Sequence, residues 1–185
     1  MRLFTAITLD EDMKDIYTGI INELKKHTIS GSFTHRENLH LTVNFIGETK
    51  RLELVKELMQ QAVEKTNSGS FTLDFGGLGS FRRREGDICF IKVSKDSTLW
   101  KLQKELESGL SNEGFVVDGQ EYRPHLTLSR RTTFRRGYDC RALNDSLSSK
   151  SMEVSELSLM QSERIQGKLV YNKLYSVRLK DGNNS

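Results

Sequence analysis

Two of the four histidines in this 185-residue chain stand in nearly the same phrase. One is Leu39-His40-Leu41-Thr42-Val43, and the other is Pro124-His125-Leu126-Thr127-Leu128, which follows the single proline of the chain. An imidazole with a hydroxyl at i+2 and apolar residues at i+1 and i+3 is a strand pattern. The polar pair shares one face, and the apolar pair anchors the other. Two imidazoles brought to one cleft can act as general base and general acid, because an ordinary pKa of about 6.5 lets one be neutral while the other is protonated. The threonine hydroxyls can donate to the non-bridging oxygens of a phosphate as charge builds on them. A phosphodiester attacked in line by water is the natural substrate for such a set, and nothing in the set demands a metal.

Competing chemistry finds less support. A metal centre needs three or four ligands at suitable spacing, and no carboxylate stands at motif distance from His40 or His125. Cys89 and Cys140 form no CxxC pair and read as buried thiols, not as a disulfide framework or a nucleophile. His27 and His35 lack the threonine context and read as structural or exposed.

Elements must carry these residues into register. The stretch 2–9 reads as a strand buried on both faces. Met13, Ile16, Tyr17, Ile20, Ile21 and Leu24 mark a helical face with Asp10 as its N-cap. Strands are expected at 31–35 and 39–46, a helix around Val55, Leu58, Met59 and Ala62, and a strand at 70–81 running into a glycine-rich bend. Another buried strand is expected at 87–93, then a helix through Leu99, Leu102, Leu106 and Leu110 capped by Asp96 or Ser97. A strand follows at 124–130, a short helix at 138–148, and two closing strands at 152–163 and 169–179 joined by a hairpin around Gly167. The tail 180–185 is expected to fray.

The two phrases do not recur alone. Phe4 precedes His40 by 36 residues and Phe90 precedes His125 by 35. Ile16, Ile20 and Leu24 map onto Leu102, Leu106 and Leu110 at a constant offset of 86. A strand–helix–loop–strand unit therefore occurs twice. The reading is one bilobal domain over residues 1–185, with internal repeats marked at 40–43 and 125–128 and two pseudo-symmetric lobes around a central cleft.

Composition sets the surroundings. Hydrophobic residues at 36% and charged residues at 29% suit a globular chain with a real core. No apolar run approaches the ~20 residues that span a bilayer. The opening segment turns acidic with no small-residue cleavage site, so a buried strand is expected there, not a signal peptide. The two cysteines without a disulfide framework suit a cytoplasmic, reducing location. The net charge is only +3, but its distribution is uneven. Six arginines between 123 and 141 face only Glu121 and Asp139, and Arg82-Arg83-Arg84 makes a second cluster. Guanidinium forks suit phosphate.

These features resemble a known family. The paired H-x-T-x phrases resemble the two-histidine (2H) phosphoesterase superfamily, and more narrowly the RNA 2′,3′-cyclic phosphodiesterases of bacteria and archaea, also described as 2′-5′ RNA ligases. The segments "MRLFTAITL", "ENLHLTVNFIGE", "GLGSF", "YRPHLTLSR" and "SLMQSE" follow that family in its order. The resemblance implies an α+β fold, with two lobes of antiparallel sheet plus helices around a groove. It implies metal-independent opening of a 2′,3′-cyclic phosphate on an RNA end or nucleoside. No cofactor is expected, and the chain is expected to be a monomer that touches no membrane. It also implies His40 as general acid and His125 as general base, although the motifs themselves leave that division open. Thr42, Thr127 and Arg130 would hold the phosphate, and Phe45, Arg123 and Tyr171 are candidates for the groove wall. Three other readings stay open: a 2′-5′ RNA ligase, a phosphodiesterase for 2′-5′ oligonucleotides or ADP-ribose cyclic phosphate, and a nucleotide- or RNA-binding module without turnover. The chain departs from the family in two places: "RRREGD" where proline is frequent, and "CFIKV" where tryptophan is frequent.

Overall fold

Strand β1 (Arg2–Thr8) leads into helix α1 (Glu11–Lys26), strand β2 (Thr28–Phe33) and strand β3 (His40–Glu48) in the computed structural model of the chain. Helix α2 (Leu52–Thr66), strands β4 (Phe71–Phe81) and β5 (Asp87–Val93), helix α3 (Ser97–Asn112) and strand β6 (His125–Phe134) follow. Strands β7 (Lys150–Val154), β8 (Glu156–Ile165) and β9 (Lys168–Arg178) close the chain. The structure describes residues 1–117 and 119–180. Of the tail expected to fray, Lys180 is bridged to Gly69, and residues 181–185 lie outside the described residues.

The starts of α1 and α3 follow the capping logic of the sequence, whereas Arg51 before α2 makes no side-chain cap bond. The Asp10 carboxylate accepts from the Met13 amide at 2.8 Å, and the Asp96 carboxylate accepts from the Leu99 amide at 2.8 Å. The buried faces are Met13, Tyr17, Ile21 and Leu24 on α1 and Leu99, Leu102, Leu106 and Leu110 on α3. Ile16, one of the positions on which the repeat was aligned, is instead partly exposed, because the stripe of α1 that faces the sheet runs one residue further round. Trp100 lies on the outer face of α3 beside Lys104.

The strands form one sheet in the order β7-β4-β5-β6-β3-β1-β8-β9, and β2 adds to β6; the paired strands run antiparallel. The fold is thus α+β on an antiparallel sheet. The stretch 152–163 is two strands, not one. Ser155 separates β7, at one end of the sheet, from β8, near the other. Its carbonyl accepts from Leu179 while Ser70 donates to Lys180, so the two ends approach each other and the sheet curls. The glycine-rich bend is a bulge inside β4, where Gly77 adopts φ 76° and the register jumps between Phe75 and Leu78. The β8–β9 turn falls at Gln166-Gly167 with both residues at positive φ, the arrangement a two-residue hairpin favours.

The helices cover the face of the sheet that carries Leu41, Leu126 and Leu128, all fully buried. The opposite face at the sheet's middle is left open.

Candidate active site

Strands β3 and β6 meet at the centre of the sheet, where Leu41 pairs with Leu126. Both leucines face the core, so the residues flanking them face the other way. An antiparallel pair through these leucines sets each histidine across from the other motif's threonine, His40 beside Thr127 and His125 beside Thr42. All four line one groove of about 650 Å³, together with Phe45, Arg130 and Tyr171. Arg123 does not line it. Its side chain pairs with Glu121 at 3.1 Å, and its backbone carbonyl serves the site instead.

Each imidazole is fixed through the same atom. His40 Nδ1 bonds the carbonyl of Asn38 at 2.7 Å, and His125 Nδ1 bonds that of Arg123 at 2.7 Å. A carbonyl only accepts, so both Nδ1 atoms carry the proton and both Nε2 atoms are left for chemistry. His40 Nε2 reaches the Thr42 hydroxyl at 3.0 Å. The threonine carbonyls are tied down from outside the motifs: Tyr122 donates to that of Thr42 at 3.0 Å and Thr34 to that of Thr127 at 2.9 Å.

Strict alternation would aim Arg130 into the core with Leu126 and Leu128. It does not, because β6 bulges. Thr127 pairs with Phe90 but Ser129 with Cys89, so one residue of β6 is extra, and Leu128 and Ser129 are both fully buried. That step reverses the parity and returns Arg130 to the groove. The same device occurs in β3. Thr42 pairs with Ala6 but Asn44 with Thr5, Val43 and Asn44 are both buried, and Phe45 emerges in the groove, 59% exposed. Phe45 and Arg130 are therefore equivalent positions of the two motifs, five residues after each histidine. One supplies a ring and the other a guanidinium.

Each histidine also sits in an aromatic corner. Phe4 lies 5.0 Å from His40, and Tyr171 meets it edge-on at 5.0 Å and 90°. Phe90 lies 5.4 Å from His125, and Phe81 meets it edge-on at 5.6 Å and 89°. Phe81 and Asn38 are site residues that the sequence reading did not single out, and Phe4 and Phe90 served there only to align the two halves. Gly79 makes room for this corner, since a Cβ there would lie 2.5 Å from the Phe90 ring. Asn38 is buried and clasps the backbone of β9, donating to Leu169 at 2.8 Å and accepting from Tyr171 at 3.2 Å. Asn38→Ala is expected to cost about 1–3 kcal/mol in a denaturant melt, because it leaves both backbone groups without their partner.

Burial lowers the pKa of both imidazoles below the ordinary 6.5. For His40 the Nδ1 bond to Asn38 opposes this, and the charges of Arg130 and His125 add to it; for His125 the bond to Arg123 opposes it and Arg130 adds. The neutral form of each is favoured, and the negative charge of a cyclic phosphate monoanion beside the rings would oppose that shift. Among the described residues no cluster of three His, Cys, Asp or Glu side chains could hold a metal ion. Cys89 and Cys140 are buried free thiols.

A curled antiparallel sheet with helices on one face and an open groove on the other is the architecture of LigT-type phosphoesterases. Escherichia coli LigT complexed with 3′-AMP is 25% identical with a TM-score of 0.74, over 96% of this chain and 97% of that one. A Thermus thermophilus protein is 21% identical with a TM-score of 0.76, over 98% and 100%. The model of the 2′-5′ RNA ligase superfamily matches residues 14–166, and the chain belongs to that superfamily. Among its relatives, an RNA 2′,3′-cyclic phosphodiesterase of Thermotoga maritima is 33% identical over 133 residues, 70% of each chain. One of Methanothermobacter thermautotrophicus is 30% identical over 185 residues, 97% of this chain and 99% of that one. No helix among the described residues is long and apolar enough to cross a membrane.

Proposed function

We propose that the chain opens 2′,3′-cyclic phosphates at RNA ends or on nucleosides, leaving a 2′-phosphate. The observation that carries this is the antiparallel meeting of the two H-x-T strands, with both Nδ1 atoms held by carbonyls and both Nε2 atoms directed to one groove. His125 takes a proton from water, whose oxygen attacks phosphorus. The bond from phosphorus to O3′ breaks, and His40 gives that oxygen its proton. The protons are then restored by exchange with solvent. Thr42, Thr127 and Arg130 hold the non-bridging oxygens, where charge accumulates in the transition state. Phe45 and Tyr171 offer faces to the terminal base. The relatives named RNA 2′,3′-cyclic phosphodiesterase support the substrate. The matched bulges and aromatic corners support reading the chain as one bilobal unit built from two related halves.

The test is hydrolysis of 2′,3′-cyclic AMP in the presence of EDTA, with the product separated as the 2′- or 3′-monophosphate. The 2′ isomer is expected, and absence of turnover without added metal overturns the reading. The pH profile adds a sign. Activity needs one imidazole neutral and one protonated, and both free-enzyme pKa values lie below 6.5. The kcat/KM bell should therefore peak below pH 6.5 and fall on the alkaline side as the acid loses its proton. A kcat/KM maximum above pH 7.5 would contradict this assignment of groups.

A further inference from the structure

We propose that the arginines of the β4–β5 hairpin, Arg82, Arg83 and Arg84, bind the backbone of single-stranded RNA upstream of the end held in the groove. This rests on the reading above, that the groove takes an RNA end.

The two rims of the groove differ in charge. Beside His40, Arg2 and Arg164 are accompanied by Glu48 and Glu163, so the signs cancel. On the His125 side Arg130 has no carboxylate partner among the described residues. The hairpin continues that side. Phe81 meets the His125 ring edge-on, and the Arg83 guanidinium lies 5.6 Å from the centre of the same Phe81 ring. One aromatic ring thus links this arginine cluster to the candidate active imidazole.

The neighbouring acids are already engaged. Glu85 pairs with Arg131 at 3.6 Å, and Asp139 is held by Arg141 at 2.6 Å. Asp87 lies at the foot of the hairpin, half-buried in β5. Arg82, Arg83 and Arg84 form no ion pair with a described residue and are exposed. Three adjacent exposed guanidinium groups repel one another, so a polyanion that threads past them relieves that repulsion as well as adding contacts.

The hairpin is also seated firmly. Gly86 adopts φ 108°, and a Cβ there would lie 2.6 Å from the Arg131 backbone, so the turn lies directly on β6. Arg131 itself has φ 52°, a left-handed conformation that glycine would adopt more readily. The Arg131 side chain is the one that pairs with Glu85. RNA fits this surface better than a mononucleotide does, because a mononucleotide has no phosphate to place beyond the groove.

The experiment compares wild type with a combined Arg82→Ala, Arg83→Ala, Arg84→Ala variant in two assays. The first is the ratio of kcat/KM on a hexaribonucleotide ending in a 2′,3′-cyclic phosphate to kcat/KM on the matching cyclic mononucleotide. The ratio should fall about tenfold or more in the variant. The second is fluorescence-anisotropy binding of a labelled single-stranded decaribonucleotide ending in a 2′-phosphate. The variant should bind more weakly, with a log Kd against log salt slope shallower by about 2, as expected when three phosphate contacts on a single strand are lost. A control removing three exposed lysines on α2 and α3 (Lys65, Lys101 and Lys104) should leave both readouts near wild type. The proposal is overturned if the ratio and the binding are both unchanged, or if the lysine control matches the arginine variant. Wild type that binds the decamer through the arginines yet turns over no cyclic end would count against the catalytic reading and not against this one.

Discussion

His40→Ala or His125→Ala is expected to lower kcat on a 2′,3′-cyclic nucleotide by about 10²–10⁴-fold, the range for loss of a positioned acid or base. The double variant falls little further, because the two groups act in one step and their losses do not add. The pH profile tells them apart. Without the base, the acidic limb of the bell disappears; without the acid, the alkaline limb does. By the present assignment His125→Ala loses the acidic limb and His40→Ala the alkaline one. An asymmetry between the two imidazoles bears on this. His40 Nε2 touches Thr42, while His125 Nε2 has no hydrogen-bond partner among the described residues. Melting curves must accompany the kinetics, since each imidazole also packs in its aromatic corner. A single variant that keeps activity within about threefold of wild type, with both limbs intact, would place the chemistry elsewhere.

The sequence made the two H-x-T pairs legible because a strand's period of two is a local rule, and Leu41 and Leu126 obey it. It made the capped helices legible for the same reason. What it could not show by periodicity was the position of Arg130, which has the parity of the core leucines and reaches the groove only through the bulge at Leu128–Ser129. Resemblance to a family supplied that residue; alternation alone would have buried it. Phe45 is the same case in the other motif. The break at Ser155 was also hidden, since a continuous β-rich stretch does not say that its halves belong to opposite ends of a curled sheet. Arg123 is a groove-wall candidate by resemblance and matters here for its carbonyl, a backbone role that residue type does not announce.

The second large effect is on stability. Leu41→Ala and Leu126→Ala should each cost about 2–5 kcal/mol, because each removes a fully buried side chain from a site covered by helices that cannot close the cavity completely. For a chain of this size each kcal/mol corresponds to about 2–4 °C in Tm. The two leucines are paired across β3 and β6, so the double variant should not show the simple sum, and a double-mutant cycle measures the coupling. The double variant would consume much of the roughly 5–15 kcal/mol that a domain has in total. Function should follow packing here. Each leucine stands between its histidine and its threonine, so a backbone that sags into the cavity at residue 41 or 126 moves both polar groups of that motif together. Leu41→Met and Leu126→Met, which conserve volume, should keep both stability and kcat near wild type. A cost below about 1 kcal/mol for Leu41→Ala would mean that the centre of the sheet is not what holds the two motifs in register. The pairing of Leu41 with Leu126 would then no longer account for how one groove acquires both histidines.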